Sequence, residues 1–329
     1  MTARRLQSPL DSLLRLTDSS GRVLDWNDDY EHKDGFLHRD MGLLTHHADS
    51  YLRTQLPANG VYYVQLTDVQ NHGGEAYGYR LRIGPPRPDF ALRLTPSSIN
   101  MFAGASTPVC VHVLRRDGFD GEVELVLKDA PRGFRLSGAR IPAGRDRVRM
   151  TLTAPPRPID DPIILTLEGG ARIDGRTVSR PVIPAEDMMQ AFLYRHLTPS
   201  QELMAAVIGG RRFGRPVEVL SEIPVRIPAG GAVRVRIAIP DHPQMRDIQL
   251  QLNEPPEGIA LENVTVVPDG LMFQLTTRGN TIDVGFADNL IVDAFMDVAV
   301  KNENGDATGQ TRRVFLGVLP AIPFEVVQR

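Results

Sequence analysis

The chain repeats itself. From Leu125 it reads Leu-Val-Leu-Lys-Asp-Ala-Pro-Arg-Gly-Phe-Arg-Leu, ending at Leu136, and from Leu250 it reads Leu-Gln-Leu-Asn-Glu-Pro-Pro-Glu-Gly-Ile-Ala-Leu, ending at Leu261. Each copy continues into a second turn, Ile141-Pro142-Ala143-Gly144 in the first and Val267-Pro268-Asp269-Gly270 in the second. Apolar runs follow at Val148–Thr153 and Met272–Thr276. The offset is 125 residues at Pro131 and Pro256 and 126 at Pro142 and Pro268, so one inserted residue reconciles the copies. A period of this length is that of a domain. The repeated unit is a strand, a Pro-x-Gly turn, a short second strand and a reversal into a third.

Side-chain periodicity gives the class of that domain. Val233, Val235, Ile237 and Ile239 alternate with Arg234, Arg236 and Ala238, which places one face on a core and the other in water. Val123, Leu125 and Leu127, then Val148, Met150 and Leu152, then Ile248, Leu250 and Leu252 keep the same two-residue period. Turn chemistry separates the runs at Asp117-Gly118, Asp120-Gly121, Asp174-Gly175, Pro228-Ala229-Gly230-Gly231 and Asn304-Gly305-Asp306. With 29 glycines and 26 prolines in 329 residues, short strands and tight turns are favoured over long helices. The expected class is all-β, as tandem β-sandwiches. One stretch reads otherwise. Residues 185–200 hold Ala185-Glu186-Asp187-Met188-Met189-Gln190-Ala191-Phe192-Leu193-Tyr194-Arg195-His196-Leu197, free of glycine and proline, with acids early and bases late, and predict a short helical connector. The expected division is 1–86, 87–184, the connector at 185–200, and 201–329, with Glu202–Ile208 opening the last domain as a strand.

Charge narrows the partners. A formal net charge of −3 gives no general attraction to nucleic acid or to anionic membranes. Lysine occurs only at Lys33, Lys128 and Lys301, so arginine carries most of the positive charge. The arginines are scattered along the chain, and codon bias accounts for them. The lone Cys110 can form no intrachain disulfide and reads as a core residue. No run reaches the length of a membrane span, and the first ten residues lack the apolar stretch of a secretory signal.

Residues 1–85 differ from the repeat. Two strand-like stretches flank Gly21 and end in the triplet Asn27-Asp28-Asp29. Pro57-Ala58-Asn59-Gly60-Val61-Tyr62-Tyr63 and Tyr79-Arg80-Leu81-Arg82-Ile83 follow. Together with Asp11–Leu16, these pieces in this order resemble the bacterial pre-peptidase C-terminal domain, a β-sandwich attached to exported proteases and other exported proteins. That family has further strands before the stretch matching Leu10–Leu16. The resemblance therefore implies that the chain is the C-terminal part of a larger exported polypeptide, outside the cytoplasm, with any catalytic domain upstream. The repeated domains resemble the immunoglobulin-like modules that follow in such proteins.

The acidic loop is the stretch that most invites a ligand. Asp25, Asn27, Asp28, Asp29 and Asp34 supply hard oxygen ligands of the kind calcium takes, with Asp40 and Asp49 as further candidates. An EF-hand is excluded: counting from Asp25, the sixth place is Tyr30 and the twelfth is Phe36, where glycine and glutamate are needed. The other reading is that these side chains bond their own backbone and shape the loop. His46 and His47 are adjacent and in a strand would point to opposite faces, which disfavours one metal. No Gly-x-Ser-x-Gly, His-Glu-x-x-His or phosphate-loop motif is present. Tyr62, Tyr63, Tyr77 and Tyr79 could stack on sugar or peptide, although alternation turns some of them inward. The expected function is a non-catalytic spacing or docking region of a larger exported protein, with no catalytic residue and no required cofactor. Its partners would be the parent polypeptide or an extracellular protein or carbohydrate surface. A carbohydrate- or protein-binding adhesion module is the alternative, and a hydrolase the third reading.

Overall fold

A computed structural model describes residues 1–29, 48–190, 194–209, 217–239, 248–279, 281–301 and 307–329. Strand dominates the described residues, and their one helical stretch is a single 3-10 turn, Arg4–Leu6. The chain divides into two compact units. One holds residues 1–88, 116–118 and 185–200, and the other holds the remainder.

The larger unit contains the repeat as two β-sandwiches. The first is built from β4 (Asp89–Thr95), β5 (Ser98–Phe102), β6 (Ser106–Arg116), β7 (Val123–Lys128), β8 (Arg135–Ser137), β9 (Arg140–Ile141), β10 (Arg147–Thr153), β11 (Ile163–Ile173), most of β12 (Arg176–Gln190), and β14 (Leu203–Ile208). In one layer β10 joins β6 to β8, while in the other β11 joins β7 to β14, and β5 runs parallel to β14. Phe90, Leu92, Ile99, Val111, Val123, Met150, Leu152, Leu167 and Val207 fill the space between.

The second sandwich repeats these pairings with β15 (Glu218–Val219), β16 (Val225–Pro228), β17 (Ala232–Ala238), β18 (Ile248–Asn253), β19 (Ile259–Val267), β20 (Gly270–Thr277), β21 (Ala287–Lys301), β22 (Ala307–Val318) and β23 (Ile322–Val327). β20 joins β17 to β19, β21 joins β18 to β23, and β16 runs parallel to β23. Val235, Ile237, Phe273, Leu275, Val292 and Phe324 make its separate core.

The expected all-β class and two-residue alternation are present. Val148, Met150 and Leu152 face inward, as do Val235 and Ile237. Two local expectations are corrected. Residues 185–200 are not helical: Ala185–Gln190 of β12 pairs antiparallel with β13 (Tyr194–Pro199), in a register that sets Met188 against His196. Good helix formers over a dozen residues give only marginal stability. β12 enters the stretch already extended, so pairing it with the returning chain fills its backbone hydrogen bonds without a change of conformation. Residues 203–208 do not open the last domain. As β14 they pair with β5 and β11, and Leu203, Ala205 and Val207 close the first core.

In the smaller unit β1 (Ser12–Asp18) lies between β2 (Val23–Asn27) and β3 (Tyr62–Asp68) in an antiparallel sheet. Leu14 and Leu16 are buried on one face of it.

Candidate functional site

A set of specific interactions lies where the two sandwiches of the larger unit meet. β22 ends beside the start of β6, with Val318 opposite Ser106. Next to this pairing the Ala321 amide donates to Thr151 Oγ1 at 2.8 Å in a buried setting, and Ile291, Val318 and Ala321 form a small buried apolar cluster. Asn289 is buried, and its side-chain amide donates to the carbonyls of Gly138 at 2.7 Å and Arg149 at 2.9 Å. Gly138 has φ 74°, a left-handed conformation that disfavours any side chain, and an added Cβ would stand 2.3 Å from Asn289 Nδ2.

Around that contact three arginines of the first sandwich meet acceptors of the second. The Arg149 guanidinium donates to the backbone carbonyl of Asn253 at 2.9 Å and to its Oδ1 at 2.8 Å. Asn253 in turn donates to Asp293 at 2.8 Å. Arg145 donates to Asp288 Oδ2 at 2.6 Å and sits 4.6 Å from the centre of the Phe286 ring. Arg135 pairs with Glu218 at 3.0 Å. These arginines look scattered in sequence, and the fold gathers them on one side of a junction whose other side is acidic. Asn289 and Thr151 are invisible in the sequence because nothing local marks them. Only the pairing of strands more than a hundred residues apart brings them into contact.

A fourth arginine clasps turns within the first sandwich. Arg115, its side chain buried, donates to the carbonyls of Gly121 at 2.6 Å, Pro142 at 3.0 Å and Arg145 at 2.9 Å. Cys110, expected in the core, is only half-buried.

In the smaller unit the fold divides the acidic-loop residues. Asp25 lies opposite Leu16 and Asn27 opposite Leu14, so both belong to the buried face of the sheet. Asp25 accepts the Trp26 amide at 2.9 Å, and Asn27 Oδ1 accepts the Tyr51 amide at 2.9 Å. Asp28 and Asp29 follow as a half-buried bend. Asp34, with Asp40, His46 and His47, falls outside the described residues. Among the described residues no three His, Cys, Asp or Glu side chains group as metal ligands would.

Asp49 is committed elsewhere. It is 2% exposed; one oxygen accepts the amides of Ala3 and Arg4 at 2.8 Å each, and the other accepts Arg5 Nε at 2.8 Å. Burial by itself raises its pKa, but the Arg5 guanidinium and the two amides outweigh this and hold the carboxyl below its ordinary value. Asp68 is likewise spent on the amides of Asp11, Gln70 and His72. Of the four tyrosines, Tyr62 and Tyr77 are half-buried while Tyr63 and Tyr79 are exposed.

No protein-family model matches the chain, and no curated protein matches it. Among solved structures it is similar to domains 4–9 of the surface layer protein SbsC, at 10% identity and a TM-score of 0.29, covering 96% of this chain and 47% of that one. The chain thus spans just under half the length of that structure. It is also similar to the D00-D0 domain of Intimin, at 9% identity and a TM-score of 0.23, covering 72% of this chain and 99% of that one. A third similarity is to the N-terminal eight Ig domains of Down Syndrome Cell Adhesion Molecule, at 10% identity and a TM-score of 0.20, covering 73% of this chain and 27% of that one.

Proposed function

We propose that the chain is a non-catalytic spacing and docking region of a larger exported bacterial protein. In this reading a pre-peptidase-C-terminal-like domain is followed by two immunoglobulin-like sandwiches outside the cytoplasm. The carrying observation is the junction between the sandwiches. A buried amide bridge at Asn289, a buried hydroxyl acceptor at Thr151 and arginines facing acidic acceptors fix one relative orientation. Such a junction costs nothing further to hold once folded, and it suits a part that sets a distance. Two sandwiches joined only by a linker would rotate freely.

Spin labels at two exposed positions, Val126 in the first sandwich and Val266 in the second, test this in a Cys110→Ser background. The expected result is one narrow distance distribution that broadens on Asn289→Ala. A broad distribution in the parent protein would overturn the spacer reading. A second reading, an adhesion module that binds carbohydrate or protein, is favoured by Trp26 and Tyr63, each 58% exposed on the smaller unit.

A further inference from the structure

The three-stranded sheet of the smaller unit has one buried face and one open one. Arg15 on the central strand lies directly opposite Trp26 on one side and Gln65 on the other. One step along, Thr17 lies opposite Val23 and Tyr63. Directly opposed residues in antiparallel strands share a face, so Trp26, Arg15, Gln65, Val23, Thr17 and Tyr63 stand together. The register shift between Leu16 and Thr17 keeps Val23 and Trp26, three residues apart, on that same face.

Two features of this surface are unusual. The chain's only tryptophan and Tyr63 are each 58% exposed and Val23 is 46% exposed, where a large apolar ring is ordinarily covered. The charge on the face is also of one sign. Arg15 is exposed and, among the described residues, has no ion-pair partner, and none of its neighbours on the face is a carboxylate. The nearby acids Asp18, Asp25 and Asp68 pair with Tyr62, Leu16 and Ser12, which belong to the opposite face.

From these placements we infer that the open face binds an acidic polysaccharide, the rings of Trp26 and Tyr63 carrying sugar rings and Arg15 holding a sugar carboxylate. The C–H face of a pyranose is apolar and rests on an aromatic ring. Gln65 and Thr17, between the aromatics, offer donors and acceptors to hydroxyls. Arg15 presents a planar fork that matches a carboxylate. Trp26 and Tyr63 lie on the two outer strands, about 12 Å apart by the ordinary spacing of a sheet, a span on the scale of a short run of sugars. A protein partner would instead be expected to seat its anchors in desolvated pockets, and an open pleat offers none. The inference deepens the adhesion reading and rests on it; it does not depend on the spacer.

Because Trp26 is the only tryptophan, its fluorescence reports this face alone. The full chain is titrated with sodium polygalacturonate and, separately, with neutral dextran. The expected result is a saturable change with polygalacturonate that weakens with added salt, no response to dextran, and at least a tenfold loss of affinity in Arg15→Gln. Trp26→Ala and Tyr63→Ala, followed by affinity electrophoresis in gels containing polygalacturonate, are expected to lose retardation. Unchanged melting temperatures would show that these exposed positions leave the fold intact. Equal binding of dextran, or full affinity in Arg15→Gln, would overturn the acidic specificity and leave the adhesion reading standing. No response to either polymer would overturn the proposal at this face. Asn289→Ala is expected to bind normally, which separates this test from that of the spacer.

Discussion

Asn289 gives both hydrogens of its side-chain amide to carbonyls of the other sandwich, so its removal leaves two acceptors without their partner. Asn289→Ala is expected to cost about 1–3 kcal/mol, the range for orphaned buried polar groups. Asp49 works in the same way within the smaller unit, with charge added. Its folded pKa is held below the unfolded value, so its contribution is fully present above the unfolded carboxylate pKa, near 4, and is lost as pH falls through the lower folded value. Melting of the protein from pH 7 to pH 2 should therefore show an acid-dependent loss that Asp49→Asn makes smaller, the variant being less stable at neutral pH, while Asp18, Asp68, Glu168 and Asp269, also held below their ordinary values, keep the remainder. Calcium binding at Asp25, Asn27, Asp28, Asp29 and Asp34, the expectation raised by the sequence alone, would show as a melting temperature that falls on chelation and recovers when the ion is restored; an unchanged melt excludes the ion. At this scale the sequence was a poor guide. A run of aspartates is visible in a string, whereas the carboxylate that holds the amides of Ala3 and Arg4, Asp49, is defined by groups more than forty residues away.

Among elements, the two copies agree in backbone as well as in letters. Asp129 and Glu254 sit at equivalent places and have φ 49° and 46°. The glycines that follow, Gly133 and Gly258, have φ 103° and 89°, and an added Cβ at either would crowd Pro155 at 2.8 Å or Thr281 at 2.0 Å. Gly133→Ala and Gly258→Ala should each cost about 1–3 kcal/mol, combining a disfavoured conformation with a clash. Gly21→Ala, with φ 85° and nothing within 4 Å of the added carbon, should cost only about 1 kcal/mol. Paired melts of the three variants check the contrast. Strands and turns were legible here because alternation and Gly placement are local signals. The hairpin of β12 and β13 was not, because helix propensity is also local and loses to a strand that is already paired. The role of β14 was hidden for a related reason: its partners β5 and β11 lie far back in the chain, and its apolar pattern suits either sandwich.

For the whole molecule, duplication was readable and assembly was not. The period of the repeat fixes two similar sandwiches, but the surface each presents to the other depends on residues in which the copies differ. Arg135 of the first copy corresponds to Ala260 of the second, and Arg149, three residues before the Leu152 that pairs with Leu136, corresponds to Met272, three before the Leu275 that pairs with Leu261. A contact between unlike faces of like bodies ordinarily admits another copy, and another, into an open filament. Here the gripping arginines are confined to the first copy, so the contact has a direction: at the matching positions the second sandwich carries no arginine with which to hold another body in the same grip.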